Sequence, residues 1–113
     1  MLDGNTPRQA PAGLASFLAP IQHHLDRPDV IELCIMPPRV LGVDTYEGWK
    51  VEQVDALTFA RLNGFAPCAA TLAKHTISAT KPILSGTLHG GERIQIVIPP
   101  AVPDGTVSST IRK

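Results

Sequence analysis

The sequence predicts an α+β domain: a two-layer sandwich of about six mostly antiparallel strands with an N-terminal helix and one long, interrupted central helix. Three observations predict it. Apolar residues recur with helical spacing in two stretches, Leu14 to Leu25 and Leu57 to Ala73. They alternate with period two between and after those stretches. Prolines (11) and glycines (9) punctuate the chain so closely that the elements must be short. Helix, strands, helix, strands is the order of an α+β fold. With 113 residues, 43% of them hydrophobic and 18% charged, the chain has material for one core and too little charge for a disordered segment.

Residues 1–11, with Gly4, Pro7 and Pro11, read as a flexible N-terminal arm before a single domain over 12–113. Leu14, Phe17, Leu18, Ile21 and Leu25 share one helical face. Pro20 lies inside this run and removes the bond to the Ser16 carbonyl, so the helix either kinks there or becomes regular later. Asp26-Arg27-Pro28-Asp29 stops it. Ile31, Leu33 and Ile35 then alternate with Glu32, Cys34 and Met36, the pattern of a strand with one buried face, which Pro37-Pro38 ends. Val40–Asp44 and Trp49–Val54, joined by a turn at Thr45–Gly48, complete an antiparallel meander. Asp55 suits the N-cap of a long helix reaching Lys74, in which Gly64 and Pro67 predict a break near Asn63–Pro67. Its alanine-rich second half predicts close packing on a sheet. Pro82–Leu88 and Arg93–Ile98 flank His89-Gly90-Gly91-Glu92, a hairpin signal. Thr106–Arg112 is the final strand, with Val107 and Ile111 on one face.

Several function classes lose ground. Lys+Arg 10 balances Asp+Glu 10 and aromatics make up 4%, so direct nucleic-acid binding is not expected. The sequence shows neither a stretch long and apolar enough to span a membrane nor a signal-peptide pattern, which predicts a cytoplasmic location. Cys34 and Cys68 fall outside any CxxC pattern and read as two buried, reduced thiols. His23 and His24 diverge around a helix and cannot chelate one ion together, so no metal site is expected. His89-Gly90-Gly91 lacks the GxSxG elbow of an esterase and is followed by a strand rather than a phosphate-cradling helix. No catalytic residue is expected. Arg93 and Arg112 stand at a strand start and a strand end, each opposite the apolar face of its own strand. On one sheet they would form a cationic pair suited to a carboxylate or phosphate, the alternative being two solvated arginines.

The stretch KPILSGTLHGGERIQIVIPPAVPDGTVSSTIRK (Lys81–Lys113) resembles the end of the N-terminal domain of VirB-type traffic ATPases, the ring-forming ATPases of type IV secretion and conjugation systems. LAPI (Leu18–Ile21), DRPDVIELCI (Asp26–Ile35) and Gly48-Trp49 match in the same order, so the resemblance spans residues 14–113. It implies an N-terminal domain that forms one ring of a hexamer and senses nucleotide. A RecA-like domain, expected to lie outside these residues, would carry the phosphate loop, with ATP and Mg bound in the complete protein. Arg93 of GGER and Arg112 of TIRK correspond to the family arginines that reach the nucleotide phosphates. Implied partners are further copies of the chain, the RecA-like domain and other secretion components at the inner membrane. Hydrolysis by these residues alone is not expected. The family's Asn-Arg-Pro-Gly turn stands here as Met36-Pro37-Pro38-Arg39, without its glycine. The alternative is a stand-alone or truncated interaction domain that binds secretion components without ATPase activity.

Overall fold

A computed structural model describes residues 12–113, and the arm expected over 1–11 lies outside the described residues. The elements run α1 (Ala12–Leu18), a 3-10 turn (Ala19–Ile21), α2 (Gln22–Leu25), β1 (Val30–Ile35), β2 (Val40–Thr45), β3 (Gly48–Gln53), α3 (Phe59–Ala73), β4 (Ile83–Thr87), β5 (Arg93–Val97) and β6 (Ser108–Arg112). The six strands form one sheet in the order β3-β2-β1-β6-β5-β4, and every pairing is antiparallel. The helices cover one face of it, which is the predicted two-layer α+β architecture.

Pro20 divides the N-terminal helix by tightening one turn to 3-10 geometry. The apolar face survives the division. Leu14, Leu18 and Ile21 are buried, with Phe17 and Leu25 packed at the margin. Each fully buried leucine or isoleucine contributes roughly 1.5–3 kcal/mol relative to exposure.

The strand alternation holds with one correction. Leu33 and Ile35 are buried, but Ile31 is only half-buried and Val30 takes its place in the core. The register shifts between Val30 and Glu32, and this bulge re-aims the start of β1. Leu41 and Val43 of β2, Leu84 of β4, Ile94 and Ile96 of β5 and Ile111 of β6 point into the same core.

Two expectations about the central helix are corrected. Its N-cap is Thr58, whose hydroxyl accepts from the Arg61 amide at 3.2 Å; Asp55 sits in the turn before it. The helix also runs unbroken through Gly64 and Pro67. Pro67 lies on the exposed side, where water can serve the carbonyl it leaves without a donor. Lys74 closes the helix in the left-handed region, φ 59°, and the His75 amide donates to the Ala70 carbonyl at 2.9 Å. Ala66, Ala69 and Ala70 are buried, as the close packing of the alanine-rich half requires.

Arg39 occupies the turn position where the resembling family carries glycine. Its φ is 68°, and its amide and carbonyl are both engaged, with the Leu57 carbonyl at 2.6 Å and the Val54 amide at 2.8 Å. A side chain in that region costs about 1 kcal/mol that glycine avoids. Gly86 shows how closely α3 and β4 approach: a Cβ there would fall 2.7 Å from the Ala73 Cβ. Alanine has no flexible end to move aside, so the backbones must separate. Gly86→Ala is expected to lower stability by about 1–3 kcal/mol, read as a shifted urea midpoint; an unchanged midpoint would show that the layers can spread freely.

α2 meets the edge strand through a buried histidine. His24 Nε2 lies 2.8 Å from Glu52 Oε2 but outside hydrogen-bonding angles. Burial, the strongest influence, pushes the imidazole pKa down; the Glu52 carboxylate offsets this in part, while His23 and Arg27 add to the lowering. The folded protein therefore holds His24 neutral where the unfolded chain, with a pKa near 6.5, takes up a proton. This contribution to stability is complete above that value and is lost as pH falls below it. His24→Leu is expected to lose less stability than the parent between pH 7.5 and 5.5 in paired denaturation curves. Equal losses would mean that the imidazole is not held neutral.

Candidate functional site

The sheet face without helices carries the polar half of each alternation. Register aligns these residues in rows across the strands. One row runs Trp49, Asp44, Glu32, Arg112, Arg93, Thr87; the next runs Val51, Gly42, Cys34, Thr110, Gln95, Ser85. The two arginines singled out in the sequence thus become direct neighbours, Arg93 of β5 opposite Arg112 of β6.

Like charges directly opposite on adjacent strands are destabilising, and a carboxylate partner would remove that cost. None is present. Among the described residues Arg27 pairs with Asp29 and the neutral His24 lies against Glu52, and neither contact involves this row. Both arginines are exposed, so their forks are open to a ligand from outside.

Two shallow depressions meet at the pair. One, of about 280 Å³, is lined by Glu32, Ser85, Gln95 and Thr110 together with both arginines. The other, of about 210 Å³, is lined by Gly91, Lys113 and the same two arginines. Lys113 is tied down at both ends: its amide donates to the Ile31 carbonyl at 2.9 Å, and its ammonium donates to the Arg27 carbonyl. The hairpin turn leading to Arg93 depends on Gly91, whose φ of 93° excludes most side chains.

This arrangement can bind an anion through guanidinium forks, hydroxyls and an amide. Cys34, beside Thr110 with Sγ 3.9 Å from Oγ1, is not poised as a nucleophile, because burial raises its thiol pKa. Cys34 and Cys68 are free thiols and half-buried, a correction to the buried pair expected from sequence: Cys34 faces the uncovered side of the sheet. Among the described residues no three His, Cys, Asp or Glu side chains gather to hold a metal ion, and no helix is long and apolar enough to cross a membrane. Glu32, Gln95, Thr110 and Lys113 were not distinguished as site residues by the sequence. Their signal was their position, next to an arginine, two residues from one or opposite one, and it becomes visible only with the strand order.

A helix-backed antiparallel sheet with an exposed arginine pair on its bare face defines a small α+β domain with a cationic patch. Comparison with known proteins supplies the family. No family profile matches the chain. It is 47% identical over 96 residues to the type IV secretion system protein VirB11 of Bartonella henselae, covering 85% of this chain and 27% of that protein. It is 37% identical over 113 residues to PtlH of Bordetella pertussis, covering 100% of this chain and 33% of that one. Its fold superimposes with a TM-score of 0.86 and 36% identity on the crystal structure of the VirB11 ATPase of Brucella suis in complex with sulphate, covering 90% of this chain and 30% of that one. The chain belongs with the VirB11/PtlH type IV secretion proteins and matches their N-terminal domain. It spans about a third or less of the length of the relatives it matches.

The unneutralised pair makes an unusual stability prediction. Arg93→Ala, whose other cross-strand neighbour is the uncharged Thr87, is expected to leave the thermal midpoint unchanged or raise it by the equivalent of a few tenths of a kcal/mol, since it removes a like-charge opposition. A clear loss of stability in melting curves would show that Arg93 holds the sheet together.

Proposed function

We propose that this is the ring-forming, nucleotide-sensing N-terminal domain of a type IV secretion traffic ATPase, and that Arg93 and Arg112 contact the nucleotide phosphates. The observation that carries the reading is the in-register, exposed arginine pair without a carboxylate partner. Guanidinium forks match phosphate oxygens bidentately, and two of them side by side suit a polyphosphate. The sulphate complex of the Brucella suis relative supports an anion-binding protein of this type.

In the complete protein a RecA-like domain would supply the phosphate loop and hold ATP and Mg. The sheet face described above would close over the phosphates from the other side. Exposed on its own, each arginine contributes under about 1 kcal/mol to such a contact. Inside a closed, desolvated cleft each charged hydrogen bond is worth about 1.5–3 kcal/mol. That difference couples domain closure to the presence of nucleotide. The same reading makes the protein a hexameric ring in the cytoplasm at the periphery of the inner membrane. There it would work with other secretion components to power export or conjugative transfer.

The 113-residue chain is expected to hydrolyse no ATP above background, since two arginines position neither a metal nor a water. Joined to a RecA-like domain, Arg93→Ala or Arg112→Ala is expected to reduce turnover about tenfold or more with the fold intact. Steady-state ATPase assays and circular dichroism read both. Turnover indifferent to both substitutions would overturn the assignment.

A further inference from the structure

The row through the arginine pair is segregated by charge. From the sheet edge inward it reads Asp44, Glu32, then Arg112, Arg93: two carboxylates side by side, followed by two guanidiniums side by side. A sheet organised only for stability would interleave them. The regular register of β1 from Glu32 onward sets this order, placing Glu32 opposite Asp44 on one side and Arg112 on the other, just after the bulge at Val30.

Glu32 stands at the boundary. It is half-buried, it lines the same 280 Å³ depression as both arginines, and no cation lies within ion-pair distance of it among the described residues. An anion seated on Arg112 must therefore sit in the field of the Glu32 carboxylate. Asp44 belongs to the same row but does not line that depression.

We propose that Glu32 is a resident counter-charge that sets the affinity and charge selectivity of the arginine site, an inference that rests on the phosphate-binding reading above. Its negative charge offsets part of the attraction of Arg112, so a bound phosphate is held less tightly than two free guanidiniums would hold it. The opposition grows with ligand charge, so Glu32 weakens binding of a triphosphate more than of orthophosphate. A site that must release its nucleotide in every cycle gains from such a built-in limit. Glu32 is a positioning residue of the electrostatic kind and makes no bond to the ligand.

The test is a titration of the 113-residue chain with inorganic triphosphate and, separately, with orthophosphate, followed by NMR through the amides of Ser85, Gln95 and Thr110. Glu32→Gln is expected to tighten triphosphate about two- to fivefold, the equivalent of one partly screened charge contact, with a smaller gain for orthophosphate. Glu32→Asp, which keeps the charge, is expected to behave as the parent. Glu32→Ser is expected to reproduce the gain should the glutamine variant not fold. Neutral variants that bind triphosphate no more tightly than the parent, or gain equally for both ligands, overturn the inference. In that case the phosphate-binding reading stands if the Arg93→Ala, Arg112→Ala double substitution abolishes binding. Parent and neutral variants binding no better than that double substitution overturn both.

Discussion

The antiparallel pairing of β1 with β6 is the constraint on which the rest of the structure depends. These are the first and last strands of the described residues, and they lie side by side at the centre of the sheet. The β2–β3 hairpin extends the sheet from one side of this pair, and the β4–β5 hairpin from the other. The Leu33–Ile111 partnership buries the middle of the core. On the opposite face the same register sets Glu32 against Arg112 and Cys34 against Thr110. A slip of one residue would send Ile111 to the bare face and Arg112 into the core, so packing of one face dictates the electrostatics of the other.

Much of this was legible in the sequence because it rests on local rules. Ile94 and Ile96 against Arg93 and Gln95, or Leu33 and Ile35 against Glu32 and Cys34, declare a strand and its two faces by alternation alone. The helical face of Leu14, Leu18 and Ile21 was equally clear, and so was the disturbance at Pro20. What was hidden depended on contacts between distant segments. Pro67 is tolerated because its side of α3 faces solvent, a fact about packing that propensity does not carry. Thr58 rather than Asp55 caps the helix because the buried Leu57 must precede it, its amide donating to the Val54 carbonyl at 3.0 Å in the entering turn. The bulge at the start of β1 has no residue signature, since Val30 and Ile31 are equally apolar. The arginine pair was visible as two residues on polar faces, but its opposition, and the place of Glu32 beside it, required the strand order.

The two faces of the sheet also differ in what they ask of the fold. The covered face is satisfied internally, by an apolar cluster and by close approaches such as that of Gly86 to Ala73. The bare face is left unsatisfied, with two like-charge oppositions in one row and no ion pair to relieve either among the described residues. Such a pattern is tolerated because the exposed guanidiniums remain hydrated and screened, which keeps each opposition within about 1 kcal/mol. The covered face supplies far more than that, so the domain can carry the deficit without losing its structure.

A deficit of this kind is useful when it disappears on binding. In water the arginines repel weakly and attract a phosphate weakly. When a second surface excludes the water, both effects grow as the local dielectric falls, and an anion between them turns the repulsion into attraction. The β5–β6 ladder fixes the backbone positions of Arg93 and Arg112 in register, so only their side-chain rotamers have to be ordered when they engage a ligand. A backbone held in register on one side, with closure supplied by the other, would suit the proposed nucleotide-sensing role. On the proposed reading, the Glu32 carboxylate at the boundary would limit that attraction. Fold and function thus meet in one ladder of hydrogen bonds, whose register buries isoleucines below and opposes charges above.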